Sequence, residues 1–144
     1  MTRVDFAFGA PDRLAQAART TMRQVLKGTR VFVYCADTQR LKTFGQLLWT
    51  VDDTAFVPHE ALTTDIDDQV PVYLVSPPTW SLFETSVRET DWLINLDDEC
   101  PPDLKALTRV LEIVSQDSLD IEQARARWRH YQTLGAELQA HKLS

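Results

Sequence analysis

Three arginines surround a tryptophan in the segment Ala124-Arg125-Ala126-Arg127-Trp128-Arg129, on a chain whose formal net charge is −6. A guanidinium beside an aromatic ring suits a ligand that joins a carboxylate to an apolar group. The N–H fork pairs with the acid, and the ring takes the apolar part. The chemistry on offer is recognition rather than bond breaking. At about 100° per residue, Ile121, Ala124, Trp128, Tyr131 and Leu134 share one broad apolar helix face. Arg125 and Arg129 lie just beyond Ile121 and Trp128, at its border. Arg127 and Arg129 are expected to be solvated. For Trp128 the pattern leaves two roles open, core packing or the wall of a ligand slot.

Other chemistry lacks its constellation. His59, His130 and His141 have no ligand-spaced partners, and there is no G-x-S-x-G elbow. Cys35 and Cys100 are far apart and form no metal or redox motif, which predicts reduced thiols in a cytoplasmic protein. The first predicted strand leads into Gly9-Ala10-Pro11-Asp12-Arg13, which is no glycine-rich phosphate loop. Pro11 also removes a backbone donor that a phosphate would use. In Leu93-Ile94-Asn95-Leu96-Asp97-Asp98-Glu99 an apolar strand runs into acids, superficially like the magnesium-binding strand of an NTPase. Without a phosphate loop it reads as a solvated acidic turn before Pro101-Pro102. A metal-dependent hydrolase built on Asp97, Asp98 and Glu99 is the alternative from another class. No cofactor and no metal are expected.

The elements that must position the arginine helix follow from the hydrophobic pattern. The 144 residues, 44% hydrophobic and 25% charged, suit a single domain, 1–144. Met1–Phe6 has no long apolar run, and no stretch approaches a membrane span. Strands are predicted at Val4–Phe8, Arg30–Cys35, Val70–Val75, Trp92–Leu96 and Val110–Val114. Helices are predicted from an Asp12 cap to about Lys27, from Thr38 to Trp49, and from Asp117 to Gly135. Gly45 is an odd residue inside the second helix. Trp80–Thr90 is ambiguous, and Val51–Gln69 reads as irregular. Strands alternating with helices imply an α/β, Rossmann-like three-layer domain with a mainly parallel sheet flanked by helices. Between Asp52 and Asp103, Arg88 is the only Lys or Arg against thirteen Asp and Glu. Such a surface repels a nucleic-acid backbone, so no strong direct nucleic-acid binding is expected.

The segment Leu47-Leu48-Trp49-Thr50-Val51-Asp52-Asp53-Thr54-Ala55-Phe56-Val57-Pro58-His59 resembles the Leu-Trp-x(6)-Phe-x-Pro-His signature of the chi subunits of bacterial DNA polymerase III holoenzyme. Gly28-Thr29-Arg30-Val31, Leu93-Ile94-Asn95-Leu96-x-Asp98-Glu99-x-Pro101-Pro102 and Ala124-Arg125-x-Arg127-Trp128-x-x-Tyr131-x-x-x-Gly135 are similar to further blocks of that family, in its order. The resemblance spans most of the chain and implies a non-catalytic accessory subunit. Its partners would be the psi subunit of the clamp loader and the acidic, Phe-terminated C-terminal tail of single-stranded DNA-binding protein. In some bacteria a helicase-like repair protein is a further partner.

Carried over by residue, the tail site would include Val114, Arg125 and Trp128, with Arg125 pairing with the tail's carboxylates. Tyrosine is common in the family where Trp128 stands, and a basic residue is common where Ile121 stands. Ile121 therefore leaves one charge anchor missing unless Arg129 replaces it. Trp49 and Phe56 match aromatic positions for the psi contact, while Pro58 and His59 would shape the turn. A direct DNA-binding module using Arg125, Arg127 and Arg129 is a third hypothesis; it predicts steeply salt-dependent binding to naked single strands.

Overall fold

The computed structural model describes residues 1–51, 57–63 and 66–143. In chain order the elements are β1 (Arg3–Ala10), α1 (Arg13–Leu26), β2 (Val31–Tyr34), α2 (Thr38–Thr50), β3 (His59–Ala61), β4 (Val72–Val75), α3 (Trp80–Ser86), β5 (Trp92–Asn95), β6 (Arg109–Ser115), α4 (Ser118–Thr133) and β7 (Glu137–Lys142). The strands form one sheet in the order β3-β4-β2-β5-β6-β1-β7. Every pairing is parallel.

Parallel strands need crossovers, and helices that cross on both faces bury the sheet twice. Ala17, Ala18 and Met22 of α1, with Leu41, Phe44 and Leu48 of α2, pack against Ala7, Val31, Val33, Ile94 and Ile113 on one face. Trp80 and Phe83 of α3, with Ala124 and Tyr131 of α4, pack against Val4, Phe6, Phe32, Leu93, Val110 and Val114 on the other. This is the three-layer α/β arrangement that the alternating pattern predicts. Among the described residues no helix is long and apolar enough to cross a membrane.

The predicted helices stand within a residue or two of their expected ends. Asp12 caps α1 by accepting from the Ala15 amide at 2.9 Å. Gly45 in α2 is explained by a close approach, since a Cβ there would stand 3.1 Å from His59 Nε2. The ambiguous segment Trp80–Thr90 opens with the short helix α3, which is entered from a 3-10 turn at Pro77–Thr79. Two strands depart from expectation. β3 lies inside the stretch read as irregular; three residues on a sheet edge are too few to alternate. β7 follows Gly135, which takes φ 78° beyond the end of α4 and turns the chain back to the sheet. Its sequence Glu-Leu-Gln-Ala-His-Lys is an exposed edge, so no apolar period marks it.

Candidate functional site

The parallel register of β1 with β6 and β7 brings one face of three strands beneath α4. Phe6 and Phe8 of β1, Val114 of β6 and Ala140 of β7 form a floor; Ile121, Ala124, Arg125 and Trp128 of α4 form a wall. They enclose an open, mainly apolar cavity of about 500 Å³ completed by Gly9, Ser115 and Gln116. Trp128 serves both roles left open for it. Half-buried, it packs on Phe6 with ring centroids 5.1 Å apart, and its remaining surface faces the cavity. Phe8 is 40% exposed, a large apolar side chain left uncovered in the floor. Arg125 is exposed at the rim. Neither it nor Arg129 has a hydrogen-bond or ion-pair partner among the described residues. Of the four residues singled out with Arg129 from the sequence, Val114, Ile121, Arg125 and Trp128 all line this cavity, and Arg129 does not.

The wall is held in place by the arginine expected in solvent. Arg127 is 2% exposed, and its Nε donates to Glu112 Oε1 at 3.1 Å. Glu112 is wholly buried in β6 and also accepts from Tyr131 Oη at 2.6 Å and Asn95 Nδ2 at 2.8 Å. A carboxylate inside the apolar run Val-Leu-Glu-Ile-Val must be matched by buried donors, and α4 supplies two of them. Burial, then the Glu112 charge, pushes the Tyr131 hydroxyl well above its ordinary pKa, so it remains a donor. Leu134, read as part of the apolar face, is 51% exposed because the helix ends at Thr133 before reaching cover.

At the carboxyl ends of the strands, where open α/β sheets commonly hold ligands, this chain places its own arginines. Arg13 Nε donates to the Ile113 carbonyl at 2.9 Å, and Arg13 NH2 to the carbonyls of Asp97 at 2.9 Å and Asn95 at 3.2 Å. Its guanidinium lies 3.7 Å from Glu112 and 3.9 Å from Asp120. Burial lowers the Arg13 pKa, against the opposing pull of Glu112. Arg40 donates to the Leu96 carbonyl at 2.8 Å and to Asp98 at 2.9 Å. Asp97 accepts from the Ala36 amide at 3.2 Å. Two of the three acids considered for a metal, Asp97 and Asp98, are thus engaged in fastening strand ends, and Glu99 takes part through its main-chain carbonyl, which accepts from Asn95 Nδ2 at 2.9 Å. Among the described residues no group of three His, Cys, Asp or Glu is arranged to hold a metal ion.

Trp49 is 57% exposed at the end of α2, with its ring set edge-on to His59 at 5.6 Å. His59 opens β3, and its Nδ1 lies 3.3 Å from the Val57 carbonyl. Phe56, the other aromatic of that signature, lies outside the described residues. Trp49 is remote in sequence from the α4 cavity and does not line it.

The strand floor goes beyond the sequence expectation, in Phe6, Phe8 and Ala140, as do Gly9, Ser115 and Gln116 at its end. The period of two in Val4-Asp5-Phe6-Ala7-Phe8 was a usable signal for the first two, since it sets both phenylalanines on one face.

Residues 1–139 match the family described as "DNA polymerase III chi subunit, HolC". The DNA polymerase III subunit chi of Pseudomonas aeruginosa is 31% identical over 147 residues, covering 99% of this chain and 98% of that protein. The subunit chi of Haemophilus influenzae is 26% identical over 111 residues, covering 77% and 74%.

Proposed function

The chain belongs to the DNA polymerase III chi subunit family, and from that premise we propose that it is a non-catalytic adaptor, a single domain 1–144 acting in the bacterial cytoplasm. It joins the clamp loader, through the psi subunit, to the acidic C-terminal tail of single-stranded DNA-binding protein. The observation that carries this reading is the pairing of an apolar cavity with an unengaged arginine at its rim. The tail's terminal aromatic ring enters between Trp128, Val114 and Phe8, where burying it yields about 25 cal/mol per Å² of apolar surface. Its carboxylates meet Arg125, which forms charge-assisted hydrogen bonds to them at the cavity rim. Arg129, one turn further along α4, is a second cation on the same exposed side.

The psi contact uses Trp49 and Phe56, with Trp49 supplying an exposed ring of the kind that anchors interfaces. A helicase-like repair protein is a further partner in this reading. Calorimetric titration of a short acidic, Phe-terminated peptide into the wild type and an Arg125→Ala variant tests the tail site. The expected result is saturable binding that the variant loses by tenfold or more, a loss of at least about 1.4 kcal/mol, in the range of a hydrogen bond to a charged group. Equal binding by the two proteins contradicts it. For the psi surface, Trp49→Ala is expected to abolish co-purification with psi while leaving the circular dichroism spectrum folded; retained co-purification contradicts that assignment.

A further inference from the structure

The helix wall of the cavity carries Arg125 but has Ile121 one turn earlier, so a ligand with several acids meets one cation where it enters. The strand wall supplies another. β7 pairs with β1 in parallel register, Phe6 beside Ala140 and Phe8 beside Lys142. Neighbouring residues in such a register project to the same side of the sheet, and each strand alternates with a period of two. Phe6, Phe8 and Ala140 all line the cavity. Lys142 therefore rises on the cavity's face, level with Phe8. The residue before it fixes the alternation independently: His141 Nε2 lies 2.9 Å from Asp5 Oδ1, and Asp5 alternates with Phe6 on β1, so it belongs to the opposite face. Lys142 is exposed and has no hydrogen-bond or ion-pair partner among the described residues.

We propose that Lys142 is a binding residue for the acidic part of the peptide ligand, opposite Arg125, so that the ligand's carboxylates cross the β7 edge instead of following α4. This rests on the tail-pocket reading given above and names its second anchor. One cation on the helix wall of an apolar slot and another on the adjoining strand edge complement a segment with an apolar terminus and acids preceding it. They also favour an acidic peptide over a neutral apolar one, which would fill the slot without pairing either charge.

The test is a charge cycle read by calorimetry on the full chain at low salt. The probes are a Phe-terminated peptide with three aspartates before its apolar end, and versions with each Asp replaced by Asn or Lys. Lys142→Gln is expected to weaken the acidic peptide about three- to fivefold, the upper range for an exposed pair, and to leave the fully Asn-substituted peptide unchanged. Arg129→Gln is expected to change the acidic peptide less than about twofold. Lys142→Glu should bind the acidic peptide worst and regain affinity for one of the Lys-substituted peptides, a rescue that a packing defect would not produce. If Arg125→Ala abolishes binding but Lys142→Gln is silent and Arg129→Gln weakens it, the Lys142 anchor is overturned and the pocket stands. If the wild type does not bind the acidic peptide at all, the pocket reading falls and the anchor falls with it.

Discussion

Arg125 and Arg127 are two residues apart on one helix and have opposite fates. Arg127 is buried against Glu112 and reaches the Asp98 carbonyl at 3.0 Å, while Arg125 stands exposed at the rim of an apolar cavity, without a partner among the described residues. The contrast extends to whole regions. At the carboxyl ends of β5 and β6, Arg13 and Arg40 direct their donors onto main-chain carbonyls and acids of the same molecule. Between α4 and the β1–β7 edge, Arg125 has no hydrogen-bond or ion-pair partner among the described residues, and the floor carries two phenylalanines. An arginine on the page of a sequence says little about binding until its own chain's acceptors have been counted.

The comparison breaks most visibly in stability. Arg127→Ala leaves Glu112 deeply buried with Arg13 as its remaining cationic partner at 3.7 Å, and should cost about 3–5 kcal/mol in urea unfolding. A loss under about 1 kcal/mol would mean that the pair does not hold α4. Trp128→Ala should cost roughly 2 kcal/mol, about half of what a fully buried aromatic loses, because the ring is only half-buried against the core. It should also remove peptide binding. Arg125→Ala should remove peptide binding as well, yet shift unfolding free energy by no more than about 0.5 kcal/mol, as for an unpaired surface residue.

The smallest effect concerns a clamp between β1 and β7 on the face opposite the cavity, where Asp5 accepts from Arg3 at 3.0 Å and lies 2.9 Å from His141 Nε2. Burial opposes the charge of Asp5, but hydrogen bonds from Arg3 and His141 outweigh it and hold the carboxyl below the usual range. A carboxyl depressed on folding contributes stability above its unfolded value, about 3.9, that is lost as pH falls through the folded one. Urea midpoints measured from pH 6 down to pH 3 should therefore fall less steeply in Asp5→Asn than in the wild type. Parallel slopes would show that the clamp contributes nothing.

The fold was legible because period and punctuation agree: apolar runs at β2, β5 and β6, Asp12 before α1 and Gly135 after α4. β7 was not, since an edge strand facing water has no apolar face to announce it, and with it went Ala140 and Lys142. On α4 the helical wheel found Ile121, Arg125 and Trp128 because they border the apolar arc. It misplaced Arg127 because the wheel treats charge as a mark of solvent. The correcting signal lay elsewhere in the sequence, in the single carboxylate of Val110-Leu111-Glu112-Ile113-Val114, which a buried strand tolerates only with a buried cation.

The most direct test of the central claim is amide chemical-shift mapping of the labelled protein with the acidic, Phe-terminated peptide. The account predicts that the largest changes cluster at Phe8, Val114, Ile121, Arg125 and Trp128, with Arg13, Arg40 and Asp98 quiet. Changes centred on Arg13, Arg40 and Asp98 would place the ligand at the strand ends and contradict it.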